Sequence, residues 1–139
     1  YMVAGGLTKN RSDHLSQIAN FSIEILQFIN SEKELVDLGL KLRIGINTGP
    51  VVAGVIGLTK FQYDLWGETV NMASRMESSG VTDCIHVSSS VYGRLKGMFE
   101  FDARGEIDVK GFGRVTTYFL TNRHVVSKPK TNVNLLEAN

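Results

Sequence analysis

Leu42-Arg43-Ile44-Gly45-Ile46-Asn47-Thr48-Gly49-Pro50-Val51-Val52-Ala53-Gly54-Val55-Ile56-Gly57 is the stretch on which the fold turns. Leu42, Ile44 and Ile46 alternate with Arg43, Gly45 and Asn47, as in a strand with one face on a core. Thr48-Gly49-Pro50 supplies a turn and Val51 to Ile56 a second apolar strand, so the segment reads as a β-hairpin. Upstream, Leu15, Ile18, Ala19, Ser22, Ile25, Leu26 and Ile29 recur in threes and fours. That spacing predicts an amphipathic helix over 14–30, with Asp13 as its cap. Tyr1 to Gly5 is apolar and β-prone, which reads as a domain entered in its middle, with its beginning expected before Tyr1.

Downstream, Trp66-Gly67-Glu68-Thr69-Val70-Asn71-Met72-Ala73-Ser74-Arg75-Met76-Glu77 predicts a helix starting near Gly67. Asn71 and Arg75 then share one face, so an amide and a guanidinium can reach one ligand just after the acid at Asp64. The same spacing also suits a plain solvated face. Ser88 to Ser90 opens a short helix over 91–96 that Gly97 ends. Short strands fit 99–101, 107–109 and 115–120, separated by Gly105 and by Gly111-Phe112-Gly113. The pattern predicts an α+β sandwich, its mainly antiparallel sheet carrying helices on one face. One domain is expected over 1–120, and 121–139 reads as a flexible extension.

Composition excludes several classes. The net charge of +1, from 15 basic and 14 acidic residues spread along the chain, gives no footprint for nucleic acid or an anionic membrane. Cys84 is the only cysteine. An internal disulfide is therefore impossible, and its neighbours Ile85 and Val87 predict a buried strand thiol. No apolar run approaches the roughly 18 to 20 residues that span a bilayer, so the segment reads as a cytoplasmic domain with no direct membrane insertion. Membrane attachment of a longer parent stays open. No Gly-Lys-Ser/Thr closes a glycine loop and no Gly-x-Gly-x-x-Gly follows a strand, which removes the P-loop and dinucleotide fingerprints. His14, His86 and His124 stand isolated, without metal-ligand spacing.

From Leu40 to Gly80 the chain resembles the catalytic domain of class III nucleotide cyclases, through the block from Leu42 to Gly57 and through Tyr63-Asp64-Leu65-Trp66-Gly67. Ile85-His86-Val87-Ser88-Ser89 and Arg104-Gly105-Glu106-Ile107-Asp108-Val109-Lys110-Gly111 follow in the family's order, and the resemblance runs from Tyr1 to about Leu120. It implies a ferredoxin-like core. It also implies a reaction in which the ribose 3′-oxygen of a nucleoside triphosphate attacks its own α-phosphorus and expels pyrophosphate.

By that resemblance Asn71 orients the ribose, and Arg75 stabilises charge on the α-phosphate in the transition state. Arg43 and Lys110 match residues on the distal phosphates, although a strand's exposed partner and a solvated turn lysine would look the same. Asp64 matches the purine-specificity position, where a carboxylate accepts from the adenine amine; as a bare residue it is also an ordinary turn acid. Guanylate-forming relatives commonly have Cys there, so Asp64 favours ATP and an adenylyl cyclase, with guanylyl cyclase as the alternative. The Lys that partners Asp64, and the two aspartates that hold Mg2+ or Mn2+, are expected upstream of Tyr1. The 139 residues alone are therefore expected to be inactive, and the intact parent active as a homodimer, since the chain has both Arg43 and the Asn71/Arg75 pair. A non-catalytic cyclase-like regulatory or dimerisation module is the competing class, and a diguanylate cyclase would need a Gly-Gly-acid-Glu-Phe hairpin that is missing.

Overall fold

Ile44 and Ile46 form a strand, but its partner is not the Val51 to Ile56 segment. In the computed structural model, which describes residues 1–7, 12–60 and 62–124, β1 (Ile44–Ile46) pairs in parallel with β4 (Ile85–Ser88), setting Ile44 against Ile85 and Ile46 against Val87. β2 (Val52–Ile56) pairs antiparallel with β3 (Gln62–Trp66), a strand not expected from the sequence. The expected hairpin is thus displaced by one strand, because Thr48-Gly49-Pro50 is tied elsewhere: Thr69 Oγ1 donates to Pro50 O at 2.6 Å. The chain reverses after Gly57, whose φ of 134° suits a residue without a side chain.

The remaining elements are α1 (His14–Ser31), α2 (Lys33–Asp37), α3 (Glu68–Ser78), α4 (Ser89–Leu95), β5 (Phe99–Val109) and β6 (Gly113–Arg123). The main sheet runs β1-β4-β6-β5, antiparallel except for the β1–β4 pair, and β2–β3 form a separate ribbon. The strands expected at 99–101 and 107–109 are one strand, because register shifts between Glu100 and Phe101 and between Ala103 and Gly105 absorb the irregularity as bulges. β6 continues to Arg123, beyond the end expected at Leu120. Residues 1–7 form no strand and are exposed, and the tail reading over Lys128 to Asn139 falls outside the described residues.

Strand alternation sorts the helices. Ile46, Ile85, Val87 and Leu120 point to one face, where Leu15, Ala19 and Ile23 of α1 and Val91 and Leu95 of α4 close the core. Gly45 and His86 point to the other, and α3 lies there. The α+β, ferredoxin-like sandwich with its mainly antiparallel sheet forms, but the helices are not confined to one face as expected, because Gly45, lacking a side chain, leaves room for α3 on the far side of the sheet. Its α1 and α4 share a face, and α3 covers the opposite one. Cys84 differs from expectation: it precedes β4 and is only half-buried, since full burial begins at Ile85 after Asp83 has turned the chain at φ 61°.

Candidate active site

α3 begins where β3 ends. Gly67 takes φ 125° between them, a conformation closed to most side chains, so the chain passes from strand to helix without an intervening loop. The helix lies flat on the sheet because Gly45 has no side chain: a Cβ there would sit 2.0 Å from Glu77 N. Its first turn is tied to the sheet by polar bonds. Ser88 Oγ donates to Asn47 Oδ1 at 2.6 Å, and Asn47 Nδ2 donates to Thr69 O at 3.0 Å. In the sequence Asn47 is no more than the polar alternate of a strand. Ser88 is a strand end and Thr69 a helix start, and nothing local in the sequence links them.

On this platform Asn71 and Arg75 stand one turn apart, about 6 Å along the axis, with Asn71 exposed and Arg75 half-buried. Among the described residues the Arg75 side chain forms no ion pair or hydrogen bond, which leaves its charge available to a ligand. Asp64 enters from β3, half-buried opposite Gly54, and its Oδ1 accepts from Leu65 N at 2.8 Å. Arg43, just before β1, turns onto the last turn of α3, where Nε and Nη2 both lie 2.7 Å from Glu77 Oε1. Lys110 is exposed in the turn between β5 and β6. The fold therefore gathers Asp64, Asn71, Arg75 and Arg43 on or against α3 and its lead-in strand, and leaves Lys110 on a separate hairpin. A cleft of about 230 Å3 opens between Thr69 and Met72 of α3, Ser88 to Ser90, and Phe112 beyond Lys110; none of the five expected residues lines it.

His86, unassigned in the sequence beyond its isolation, is fully buried under the far end of α3. Burial pulls its pKa below the usual histidine value, the bond to the Met76 carbonyl opposes that, and the Arg104 guanidinium adds to the lowering. Among the described residues no group of three or more His, Cys, Asp or Glu could hold a metal ion. These residues do not fit the divalent-ion site that the cyclase resemblance implies.

The model of the adenylate and guanylate cyclase catalytic domain matches residues 1–122. The chain belongs to that family. An adenylate cyclase of Mycobacterium tuberculosis is 43% identical to this cyclase domain over 129 residues, which cover 93% of this chain and 29% of that protein. Retinal guanylyl cyclase 2 of Rattus norvegicus is 44% identical over 135 residues, 93% of this chain and 12% of that one. Among solved structures, the guanylate cyclase domain of RhGC from Catenaria anguillulae, in complex with GTP, superposes with a TM-score of 0.79 at 39% identity, covering 85% of this chain and 65% of that chain. The cyclase domain thus spans less than a third of the curated relatives it matches, and these include enzymes named for either purine. No helix among the described residues is long and apolar enough to cross a membrane.

Proposed function

We propose that this cyclase domain converts ATP to 3′,5′-cyclic AMP and pyrophosphate within a symmetric dimer of the full-length protein that carries it. The observation that carries the reading is α3: Asn71 and Arg75 share one face of a helix fixed to the sheet, and the half-buried Asp64 lies in the strand leading into it. The Asn71 amide orients the ribose so that its 3′-oxygen lines up with the α-phosphorus. As the new P–O bond forms, the 3′-hydroxyl releases its proton to solvent and the bond to pyrophosphate breaks, while Arg75 meets the negative charge that grows on the α-phosphate oxygens. Arg43 and Lys110 neutralise the distal phosphates. For Arg43 this means exchanging Glu77 for phosphate, a small cost because an exposed pair of this kind contributes about 0–1 kcal/mol. Mg2+ or Mn2+ would be held by carboxylates outside the described residues and would neutralise charge on the phosphates.

Asp64 sets the purine. Its carboxylate accepts from the adenine amine, whereas guanine offers a carbonyl, and two facing acceptors in a half-buried site cost about 1–3 kcal/mol. Guanylyl cyclase is the second reading, favoured by the identity to retinal guanylyl cyclase 2. A non-catalytic module has less support, since among the described residues the Arg75 guanidinium makes no ion pair or hydrogen bond within the fold.

The test is turnover of ATP and GTP by the full-length protein carrying this domain. Arg75→Ala is expected to lower kcat by ~10² to 10³, the usual loss for a group aimed at transition-state charge. Asp64→Cys is expected to reduce the ATP-over-GTP preference about tenfold or more. An unchanged ratio removes Asp64 from base selection, and an unchanged rate in Arg75→Ala removes α3 from the chemistry. The 139-residue polypeptide by itself is expected to give no steady production.

A further inference from the structure

The last turn of a helix leaves carbonyls without donors of its own. At the end of α3, Met76 O lies 2.8 Å from His86 Nδ1, and the carbonyl of Ser79, the residue that caps the helix, accepts from Arg104 Nη1 at 2.6 Å, both from the sheet. A carbonyl only accepts, so Nδ1 carries a proton. Arg104 Nη1 is 3.4 Å from Nδ1 and 3.2 Å from Nε2, so evenly placed that it lies over the ring and not along either lone pair. A guanidinium there favours the neutral imidazole. Phe119, opposite His86 on β6, packs tilted against the ring, with its centroid 5.4 Å from His86 and 5.4 Å from the Arg104 guanidinium carbon. Arg104 reaches this point because it sits at the β5 register shift between Ala103 and Gly105, where a bulge re-aims a side chain.

Both anchors act next to Arg75. Met76 follows it in the chain, and Ser79 donates its N–H at 2.9 Å and its hydroxyl at 2.6 Å to Arg75 O. We infer that His86 and Arg104 are positioning residues, gripping the final turn of α3 from the sheet and so setting the reach of the Arg75 guanidinium. This rests on the reading of α3 as the nucleotide-bearing helix. The charged group against the imidazole is Arg104 from β5; α3 presents the Met76 carbonyl and β6 the Phe119 ring, while Arg43 and Glu77 pair with each other. A second proton on the ring would set a cation beneath Arg104, so acid opens the grip. Because the folded pKa lies below the ordinary 6.5, the neutral ring's contribution is complete above that value and is lost as pH falls through the lowered one.

The experiment measures kcat and KM for ATP and GTP in the full-length protein from mildly acid to alkaline pH. His86→Phe and Arg104→Lys are expected to lower kcat about tenfold or more with KM changed less than about twofold, the split for a displaced transition-state group. His86→Asn keeps a donor for Met76 O but does not titrate; it is expected to recover most of the rate lost in His86→Phe and to flatten the acid limb. Arg75→Ala is run alongside. If Arg75→Ala leaves kcat unchanged, the nucleotide reading fails and this inference falls with it. If Arg75→Ala is impaired while His86→Phe and Arg104→Lys match the wild type, or while His86→Asn keeps the wild-type acid limb, the positioning role is overturned. Should His86→Phe fail to fold, the acid limb of His86→Asn decides alone.

Discussion

At Asn47 one side-chain amide serves three elements. It accepts from Ser88 at the end of β4, donates to Thr69 in the first turn of α3, and itself follows β1. Replacing it by alanine would leave the buried Ser88 hydroxyl without its acceptor and remove a donor from Thr69 O. Asn47→Ala is therefore expected to destabilise the domain by about 1–3 kcal/mol, measured as a lower urea midpoint with an unchanged slope. The Arg43–Glu77 pair differs in kind: both side chains are more than two-fifths exposed, so its contribution is slight and Arg43 can turn to a ligand without loosening the fold. His86 lies between these cases. It is buried like Ser88, yet its value to the fold depends on the ring staying neutral, with its one proton on Nδ1.

α3 shows how an element is set by its neighbours. Its amphipathic spacing is local, but its distance from the sheet is decided at Gly45, where a methyl group would meet the backbone at Glu77 N, Ala73 O and Met76 C. Backbone atoms cannot rotate aside as a side-chain tip can. Gly45→Ala is thus expected to cost about 3 kcal/mol, the upper end of overpacking penalties, or to push the helix outward. Thermal unfolding reads the first outcome and loss of cyclase rate in the full-length protein reads the second; a neutral substitution on both would refute the close contact. The β2–β3 ribbon shows the converse. Val52 to Ile56 was legible as a strand from its residues, but its partner was not, because Gln62 to Trp66 mixes polar and apolar residues without a clean period and the turn chemistry at Thr48-Gly49-Pro50 pointed the other way.

At the scale of the whole molecule, exposed apolar side chains lie at the chain start, on α1 and α2 and on that ribbon with the loop beside it, where Val52, Val55, Ile56, Leu58 and Tyr63 are all more than half exposed. Such a surface marks an association site, and it supports the homodimer proposed for this cyclase domain. Val55→Glu with Leu58→Glu is expected to shift sedimentation toward monomer and to lower activity with the folded fraction intact; a dimer that survives both charges would locate the contact elsewhere. The family blocks, the α+β class, α1 and the pairing of Asn71 with Arg75 were readable in the chain because each depends on neighbours within a few turns. The joining of β1 to β4, the helix on the opposite face, the Asn47 bridge and the His86–Arg104 grip were not, since each depends on residues brought together only by folding. Local periodicity determined which segments became helices or strands and which side chains one helix face carries. The tertiary structure alone decided which strands meet and how the ends of α3 are held, because hydrogen-bond partners and close backbone contacts between distant segments leave no periodic trace in the order of residues.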